Sequence, residues 1–134
     1  PARLGLKIAF DEKIAHTIYA GSDVFLIPSR YEPCGLTQMY AMKYGTVPVV
    51  RSTGGLDDSV EEFDATAGTG NGFKFSEAAP EPLLEASARA IRAFGRPGDW
   101  GALVRNAMAA DFSWERSAET YLGLYEMIAA SIRE

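Results

Sequence analysis

Short apolar runs alternate with helical segments through the first half of the chain, and this alternation restricts the possible folds more than any other feature. Residues 23–28 and 46–51 have the length and apolar composition of buried strands. Apolar residues recur at helical spacing between them, over residues 36–44, and a strand at 4–10 and a helix at 12–20 precede them. The β-α-β-α-β order predicts an α/β fold with a parallel, Rossmann-like sheet and flanking helices.

The second half of the chain is predicted to be mainly helical. It contains one more strand-like run and three helical stretches, of which the first and the last have an apolar face. Pro80 or Pro82 opens the first of these helices, and Ser113 caps the last. In chain order we expect a short acidic helix or turn at 57–63, a flexible tip at 65–71, a strand at 73–75, and helices at 80–94, 100–109 and 114–132, with a break at 96–99.

At 134 residues the chain is long enough for one domain, which we assign to residues 1–134. Its 13 basic and 18 acidic residues give a net charge of −5 without a basic cluster, which argues against nucleic acid as a partner. A single cysteine, Cys34, excludes an intrachain disulfide and suits a reducing compartment. Because no apolar run approaches the roughly 20 residues that span a bilayer, we expect no membrane partner and a cytoplasmic location.

Residues 29–45 include the loop in which we expect a ligand to bind. The loop follows a predicted strand and precedes a predicted helix, and open α/β sheets bind their ligands at such carboxyl ends of strands. The free N–H groups of Gly35, Leu36 and Thr37 would direct partial positive charge at an anion. The segment therefore predicts a pyrophosphate site, with Glu32 near a sugar attached to that pyrophosphate.

Each residue of this segment also has a purely structural interpretation when it is taken alone. Glu32 could favour the helix dipole, and Cys34 could be a small buried apolar residue. Gly35 could serve only the turn, and Tyr40 and Met42 fit a helix that packs into the core. No single residue here is diagnostic of a function.

Taken as one block, residues 29–45 closely resemble a motif of the bacterial glycogen synthases and plant starch synthases. That motif is S-R-[FY]-E-P-C-G-L-T-Q-[LM]-Y-[AG]-[ML]-[KR]-Y-G, and this chain has SRYEPCGLTQMYAMKYG. The similarity continues, in the family's order and approximate spacing, through residues 46–60, 70–75, 106–108 and 111–115. It extends over essentially the whole chain.

The resemblance implies a retaining glycosyltransferase of the GT-B class, in which two Rossmann-like domains face each other across a cleft. Residues 1–134 would be part of the C-terminal, donor-binding domain, and residues 114–134 would form a helix that crosses back to the other domain. The implied reaction transfers glucose from ADP-glucose to the nonreducing 4-hydroxyl of an α-1,4-glucan, in the cytoplasm or in a plastid. The resemblance implies no metal and no cofactor, because helix N-termini and basic side chains neutralise the leaving diphosphate.

The motif residues receive roles through the same resemblance. Glu32 matches the family's motif glutamate, the implied catalytic residue, which contacts the donor glucose and stabilises positive charge at its anomeric centre. The backbone of Cys34, Gly35 and Leu36 would hold sugar hydroxyls and phosphate. Thr37 would bind phosphate through its hydroxyl and its N–H group.

Five further residues are implied to bind the donor. Tyr40 takes the place of the second glutamate of the wider superfamily's E-x7-E motif and would lie toward the nucleotide ribose. Thr53, Gly54 and Gly55 would line the donor glucose. Phe10 stands near the expected adenine position, where the family often has tyrosine, and it keeps a stacking face but lacks the hydroxyl.

Three other polar residues are assigned no part in the site. His16, the only histidine, is interpreted as a structural or surface residue rather than a catalyst. Asp57 and Asp58 are interpreted as helix-cap or solvated carboxylates, because no third ligand lies at a spacing that suits a metal ion.

The sequence lacks counterparts of the family's N-terminal Rossmann domain, its acceptor-side histidine and the Arg and Lys that clamp the phosphates. It also begins at Pro1 without an initiator methionine, so we expect a fragment, a processed piece or a shortened form. We expect the missing domain to be a partner, the chain alone to have negligible synthase activity, and its open sheet edge to promote self-association. Two alternatives remain open: a noncatalytic nucleotide-sugar or glucan-binding fragment, and a related glycosyltransferase that uses UDP-glucose.

Overall fold

Three strands and six helices make up the fold in the computed structural model, which describes residues 3–132. Helices precede and follow each strand, as the alternation of the sequence predicts. The elements are α1 (Glu12–Gly21), β1 (Val24–Ile27), α2 (Thr37–Lys43), β2 (Val47–Arg51), α3 (Gly55–Ser59), β3 (Phe73–Phe75), α4 (Pro80–Phe94), α5 (Pro97–Ala109) and α6 (Trp114–Ser131).

The three strands form one parallel sheet in the order β1-β2-β3. Val24 pairs with Val47 in the first ladder, and Val49 pairs with Phe73 in the second. The central strand β2 is buried along residues 47–50, as expected for a parallel strand with helices on both faces. The predicted α/β class with a parallel sheet is therefore confirmed.

Alternate residues of β2 point to opposite faces of the sheet and build two apolar cores. Val47 and Val49 pack with β3 and with small residues of α4 such as Ala90. Val50 packs on the other face with Met42 of α2 and Leu56 of α3. The sheet is thus fixed on both faces, and its strand ends are rigid supports for the loops that follow them.

Helix ends follow the predicted local signals. Asp11 accepts a hydrogen bond from the N–H of Ile14 at 3.0 Å, and Ser113 accepts one from the N–H of Arg116 at 3.3 Å, so both residues cap helices as predicted. Gly45 follows α2 with φ at 82°, the left-handed conformation expected of a glycine that ends a helix.

Residues 4–10 form no strand, so that prediction is wrong. Their alternating apolar side chains remain exposed, with Leu6 82% and Ile8 89% exposed. A strand is stabilised by hydrogen bonds to a neighbour, and within residues 3–132 the only ladder partner of β1 is β2. Alternation alone therefore does not produce a strand here.

Two helix boundaries also differ from the prediction. The segment 96–99 does not break the chain completely, because α5 begins at Pro97 rather than at Trp100. Proline at the first helical position lacks only an N–H group that no helical carbonyl would accept, so it starts a helix readily. The short helix α3 spans Gly55–Ser59 instead of 57–63, and the extended backbone of Val60 ends it.

Helix α6 is present as predicted, but none of its described residues is buried. Tyr121, Leu122, Tyr125 and Ile128, which the sequence places on one side, are all exposed. The assignment of residues 114–134 as a crossing helix stays a prediction, and its last two residues lie outside the described part. No helix of residues 3–132 has the length and apolar character needed to span a membrane.

Candidate functional site

The loops after β1 and β2 meet at the carboxyl edge of the sheet. Parallel neighbours end at the same edge, so residues 28–36 and residues 52–54 are brought side by side. The N–H of Gly55, directly after the second loop, donates to the carbonyl of Pro33 in the first loop at 3.2 Å. The two loops that the sequence assigns to a ligand site therefore form one continuous backbone surface.

Two glycines make this close approach possible. Gly54 has φ at +48°, and a Cβ there would lie 3.1 Å from the carbonyl carbon of Glu32 and closer still to its oxygen. A Cβ on Gly55 would lie 2.6 Å from the Cα of Cys34. Only glycine permits such contacts, so the predicted residues Glu32, Cys34, Gly54 and Gly55 are brought together by backbone packing.

The remaining predicted residues of the motif lie at or near the start of α2. Thr37 is its first residue, and both Thr37 and Leu36 are exposed to solvent. Gly35 has φ at +69°, a conformation that glycine adopts without strain. Glu32 is half-buried in the same loop, and Thr53 is half-buried in the facing one. Leu36 and Thr37 therefore lie open to solvent at the end of the loop that carries Glu32.

Gln38 is a residue of this region that sequence reasoning missed. It is fully buried at 0% exposure, and its Nε2 donates to the carbonyl of Gly35 at 2.9 Å and to Oγ of Ser59 at 3.0 Å. Ser59 in turn donates to the carbonyl of Gly55. The sequence did indicate that Gln38 is buried, because its spacing places it on the same helical stripe as Ala41 and Met42. Both of those residues are buried.

Arg51, at the end of β2, is a second residue that was missed. Its guanidinium donates to the carbonyls of Ser29 at 2.7 Å and Ser76 at 3.2 Å, and also to the carbonyl of Arg30. The acceptors lie on the segments that follow β1 and β3. Arg51 therefore fixes both neighbouring segments to the central strand and adds positive charge at this edge of the sheet.

Tyr40 lies on the side of α2 that faces α1. Its ring centroid is 5.3 Å from that of His16 and 6.4 Å from that of Tyr19, and 42% of the residue is exposed. His16 Nδ1 lies 3.2 Å from the hydroxyl of Tyr44, so the histidine belongs to an aromatic contact between the two helices, in agreement with its structural interpretation. Burial, together with the nearby Tyr40, raises the pKa of Tyr19 above its ordinary value of 10.0.

Phe10 is not brought to the loops in this structure. Its side chain is fully exposed, at 102%, and it precedes the N-cap of α1. Its place near an adenine stays a prediction.

Asp57 forms an ion pair with Lys74 beside the second loop. The hydrogen bond and charge of Lys74 hold the pKa of Asp57 below its ordinary value of 3.8. Asp57 lies in the first turn of α3, whereas Gly54 holds the cap position, so Asp57 is not the cap itself. Among residues 3–132, no three potential metal ligands cluster together.

A separate cleft of about 550 Å³ lies between the loop at 68–71 and the segment at 109–112. Its amides are occupied in holding the backbone: Asn106 Nδ2 donates to the carbonyls of Gly68 and Gly70, both at 2.9 Å. Asn71 accepts from the N–H of Glu61 at 2.7 Å. We therefore place the candidate site at the strand ends rather than in this cleft.

Known proteins of similar sequence are glycogen synthases. The chain is 55% identical over 129 residues to the glycogen synthase of Anaeromyxobacter sp. (strain K), which covers 96% of this chain and 27% of that protein. It is 51% identical over 134 residues to the glycogen synthase of Kosmotoga olearia, covering 100% of this chain and 28% of that protein. The chain thus spans about a quarter of the length of these relatives.

Two solved structures of similar fold are also synthases. The catalytic domain of starch synthase IV from Arabidopsis thaliana, bound to ADP and acarbose, matches with a TM-score of 0.78 and 46% identity, covering 90% of this chain and 25% of that one. A sucrose-phosphate synthase from Thermosynechococcus elongatus matches with a TM-score of 0.59 and 28% identity, covering 91% of this chain and 29% of that one. The family model of the group 1 glycosyl transferases matches residues 8–100. These matches confirm the resemblance of the sequence, and the chain belongs to the group 1 glycosyl transferases.

Proposed function

We propose that this chain is the donor-binding part of a glycogen or starch synthase, which transfers glucose from ADP-glucose to the nonreducing end of an α-1,4-glucan with retention of configuration. One observation carries the proposal: Gly54 and Gly55 press against the backbone of Glu32 and Cys34 and merge two loops into one surface. The glycogen synthase relatives and the starch synthase solved with ADP support this choice of reaction.

In this proposal the backbone of the first loop binds the diphosphate and the sugar. The N–H groups of Gly35, Leu36 and Thr37 supply partial positive charge to the phosphates, and the Thr37 hydroxyl adds a hydrogen bond. The backbone of Cys34 lies beside them and faces the sugar hydroxyls. Such preorganised donors stabilise the charge that develops on the leaving diphosphate without a metal ion or a cofactor.

Glu32 is the proposed catalytic residue. Its backbone carbonyl lies against Gly54, and this contact supports a role for its carboxylate near the residues proposed to line the donor glucose, Thr53, Gly54 and Gly55. A carboxylate at that point stabilises the positive charge that forms at the anomeric carbon during transfer. Tyr40 is proposed to lie toward the ribose and Phe10 toward the adenine.

The acceptor glucan and a further Rossmann-like domain are the proposed partners. The acceptor binds across the cleft between the two domains, so the donor half alone has negligible transferase activity. The cytoplasm, or a plastid if the chain comes from a plant, is the proposed location of the reaction. Self-association through the open sheet edge remains part of the proposal.

Calorimetry on the chain alone tests donor binding. ADP is expected to bind, and Thr37→Val is expected to weaken binding about ten- to hundredfold because one hydrogen bond to a charged phosphate is lost. Thr120→Val is the matched control, since among residues 3–132 the Thr120 hydroxyl donates only to the Arg116 carbonyl within α6. Absence of ADP binding, or binding of a maltooligosaccharide alone, contradicts a donor site.

A chimera tests the reaction itself. The chain replaces the aligned 129 residues in the glycogen synthase of Anaeromyxobacter sp. (strain K), and incorporation of labelled glucose into glycogen is measured. Activity with ADP-glucose is expected. Activity that is higher with UDP-glucose would identify a different donor, and a chimera that binds ADP but transfers no glucose would favour a noncatalytic binding fragment.

A further inference from the structure

The amide of Gln38 connects the first loop of the candidate site to helix α3, which follows the second loop. Nε2 holds the carbonyl of Gly35 in the first loop at 2.9 Å and the hydroxyl of Ser59 at 3.0 Å. Within α3, Ser59 in turn donates to the carbonyl of Gly55, the residue that directly follows the second loop. Gln38 and Ser59 are both buried, which limits the access of water to the bond between them.

The other end of the same amide has no partner. Gln38 Oε1 is buried, and no described residue donates a hydrogen bond to it. This oxygen faces Gly35, because a Cβ on Gly35 would lie only 2.6 Å from it. A buried carbonyl oxygen without a donor destabilises a fold, and an apolar side chain of similar shape avoids that penalty.

A residue that weakens the fold at a ligand site is often retained for function. We propose that Gln38 is a positioning residue: its amide ties the carbonyl of Gly35 to Ser59 of α3, and so fixes the orientation of the first-loop backbone that receives the donor. This inference rests on the proposed donor site. It predicts that removal of the amide impairs binding far more than folding.

Gln38→Met tests the inference, because methionine fills the same volume without polar atoms. ADP affinity, measured by calorimetry on the full chain, is expected to fall about five- to tenfold, the range of coupled contacts in one network. The thermal unfolding midpoint is expected to change little, since the lost bonds are offset by removal of the unpartnered oxygen. A purely structural glutamine would lower the midpoint and leave ADP affinity unchanged.

The reactivity of the Cys34 thiol measures the accessibility of the first loop independently of ADP affinity. It is the only cysteine of the sequence and is exposed, so a thiol reagent labels this loop alone. In Gln38→Met we expect faster labelling of Cys34 and weaker protection by ADP than in the unmodified chain. Asn106→Leu is the matched control, because it removes an amide that holds two loop carbonyls elsewhere, and it is expected to change stability but neither ADP affinity nor Cys34 labelling.

Ser59→Ala tests the same hydrogen-bond network from the other partner of Gln38. It removes the link to α3 but leaves the bond to Gly35 intact, so ADP affinity is expected to fall in the same direction, and the double variant is expected to lose less than the sum of the two. If Gln38→Met does not fold, the ADP affinity and the rate of Cys34 labelling of Ser59→Ala test the inference instead. Binding of ADP within twofold of the unmodified chain in both variants overturns the inference alone, whereas failure of the unmodified chain to bind ADP overturns the proposed function.

Discussion

Gly55 and Cys34 approach each other so closely that a Cβ on Gly55 would stand 2.6 Å from the Cys34 Cα and closer still to its carbonyl oxygen. Gly55 also donates its N–H to the carbonyl of Pro33, so contact and hydrogen bond act between the same two loops. Side chains could not fill this contact without separating the loops. The pairing of these residues therefore determines the shape of the candidate site.

Replacement of Gly55 by alanine should open this contact. We expect Gly55→Ala to lower the free energy of unfolding by about 1–3 kcal/mol, because the backbone of Cys34 must move to admit a methyl group. We expect the same substitution to lower the affinity for ADP. Urea denaturation followed by calorimetry measures both quantities.

The control for this substitution is Gly123→Ala. Gly123 lies in α6 with no atom within 4 Å of a Cβ position, and alanine there should raise stability by about 0.5–1 kcal/mol through helix propensity. A Gly55→Ala variant as stable as the unmodified chain would contradict the close packing described for the two loops.

Arg51→Lys should weaken the edge of the sheet although the charge is kept. A lysine ammonium cannot reproduce the planar fork that reaches the carbonyls of Ser29, Arg30 and Ser76, so we expect a loss of about 1–3 kcal/mol in the free energy of unfolding. Urea denaturation at neutral pH is the measurement. Arg92→Lys serves as control, because Arg92 is exposed and the described residues offer it no hydrogen bond or ion pair. Equal effects of the two substitutions would argue against a fastening role for Arg51.

The ion pair between Lys74 and Asp57 should be visible in the pH dependence of stability. Lys74 lowers the pKa of Asp57 in the folded chain below its ordinary value of 3.8. As the pH falls, Asp57 therefore takes up its proton at a higher pH in the unfolded chain than in the folded chain. The stabilisation is therefore complete above that ordinary value and is lost as pH falls through the lowered pKa.

Lys74→Met removes this linkage. We expect the variant to be less stable than the unmodified chain at pH 7, with a difference that shrinks as the pH falls below about 4, near the ordinary carboxyl pKa. Denaturant titrations from neutral to acidic pH measure the difference. Lys13→Met is the control, since Lys13 is an exposed residue of α1 without an ion pair in the described region. A constant difference across the series would show that the pair does not alter the titration of Asp57.

Local signals in the sequence predicted much of this structure. Asp11 and Ser113 act over three residues as caps, and Gly45 ends α2, because each acts on the backbone beside it. The parallel sheet followed from the order of apolar runs. The motif loop could also be placed, since its position depends only on where β1 ends and α2 begins.

Interactions between distant segments could not be predicted in the same way. Gln38 meets Ser59 across 21 residues, and Arg51 meets the carbonyl of Ser76 across 25. Neither separation follows a local spacing rule, so neither contact could be predicted. The error at residues 4–10 has the same origin, because a strand depends on a partner that its own pattern does not specify.

Glu32→Gln should separate donor binding from transfer. The amide keeps the shape of the side chain in the loop that touches Gly54 but cannot stabilise a full positive charge at the anomeric carbon. In the chimeric synthase we expect kcat to fall about 10²- to 10³-fold, the range for loss of one electrostatic contact, with KM for ADP-glucose nearly unchanged. In the isolated chain, ADP affinity should stay within about threefold, since ADP carries no glucose for Glu32 to contact. Glu61→Gln, an exposed carboxylate beside the separate cleft, is the matched control and should leave kcat unaltered. Retention of kcat in Glu32→Gln would show that the half-buried carboxylate of this loop is not the catalytic group.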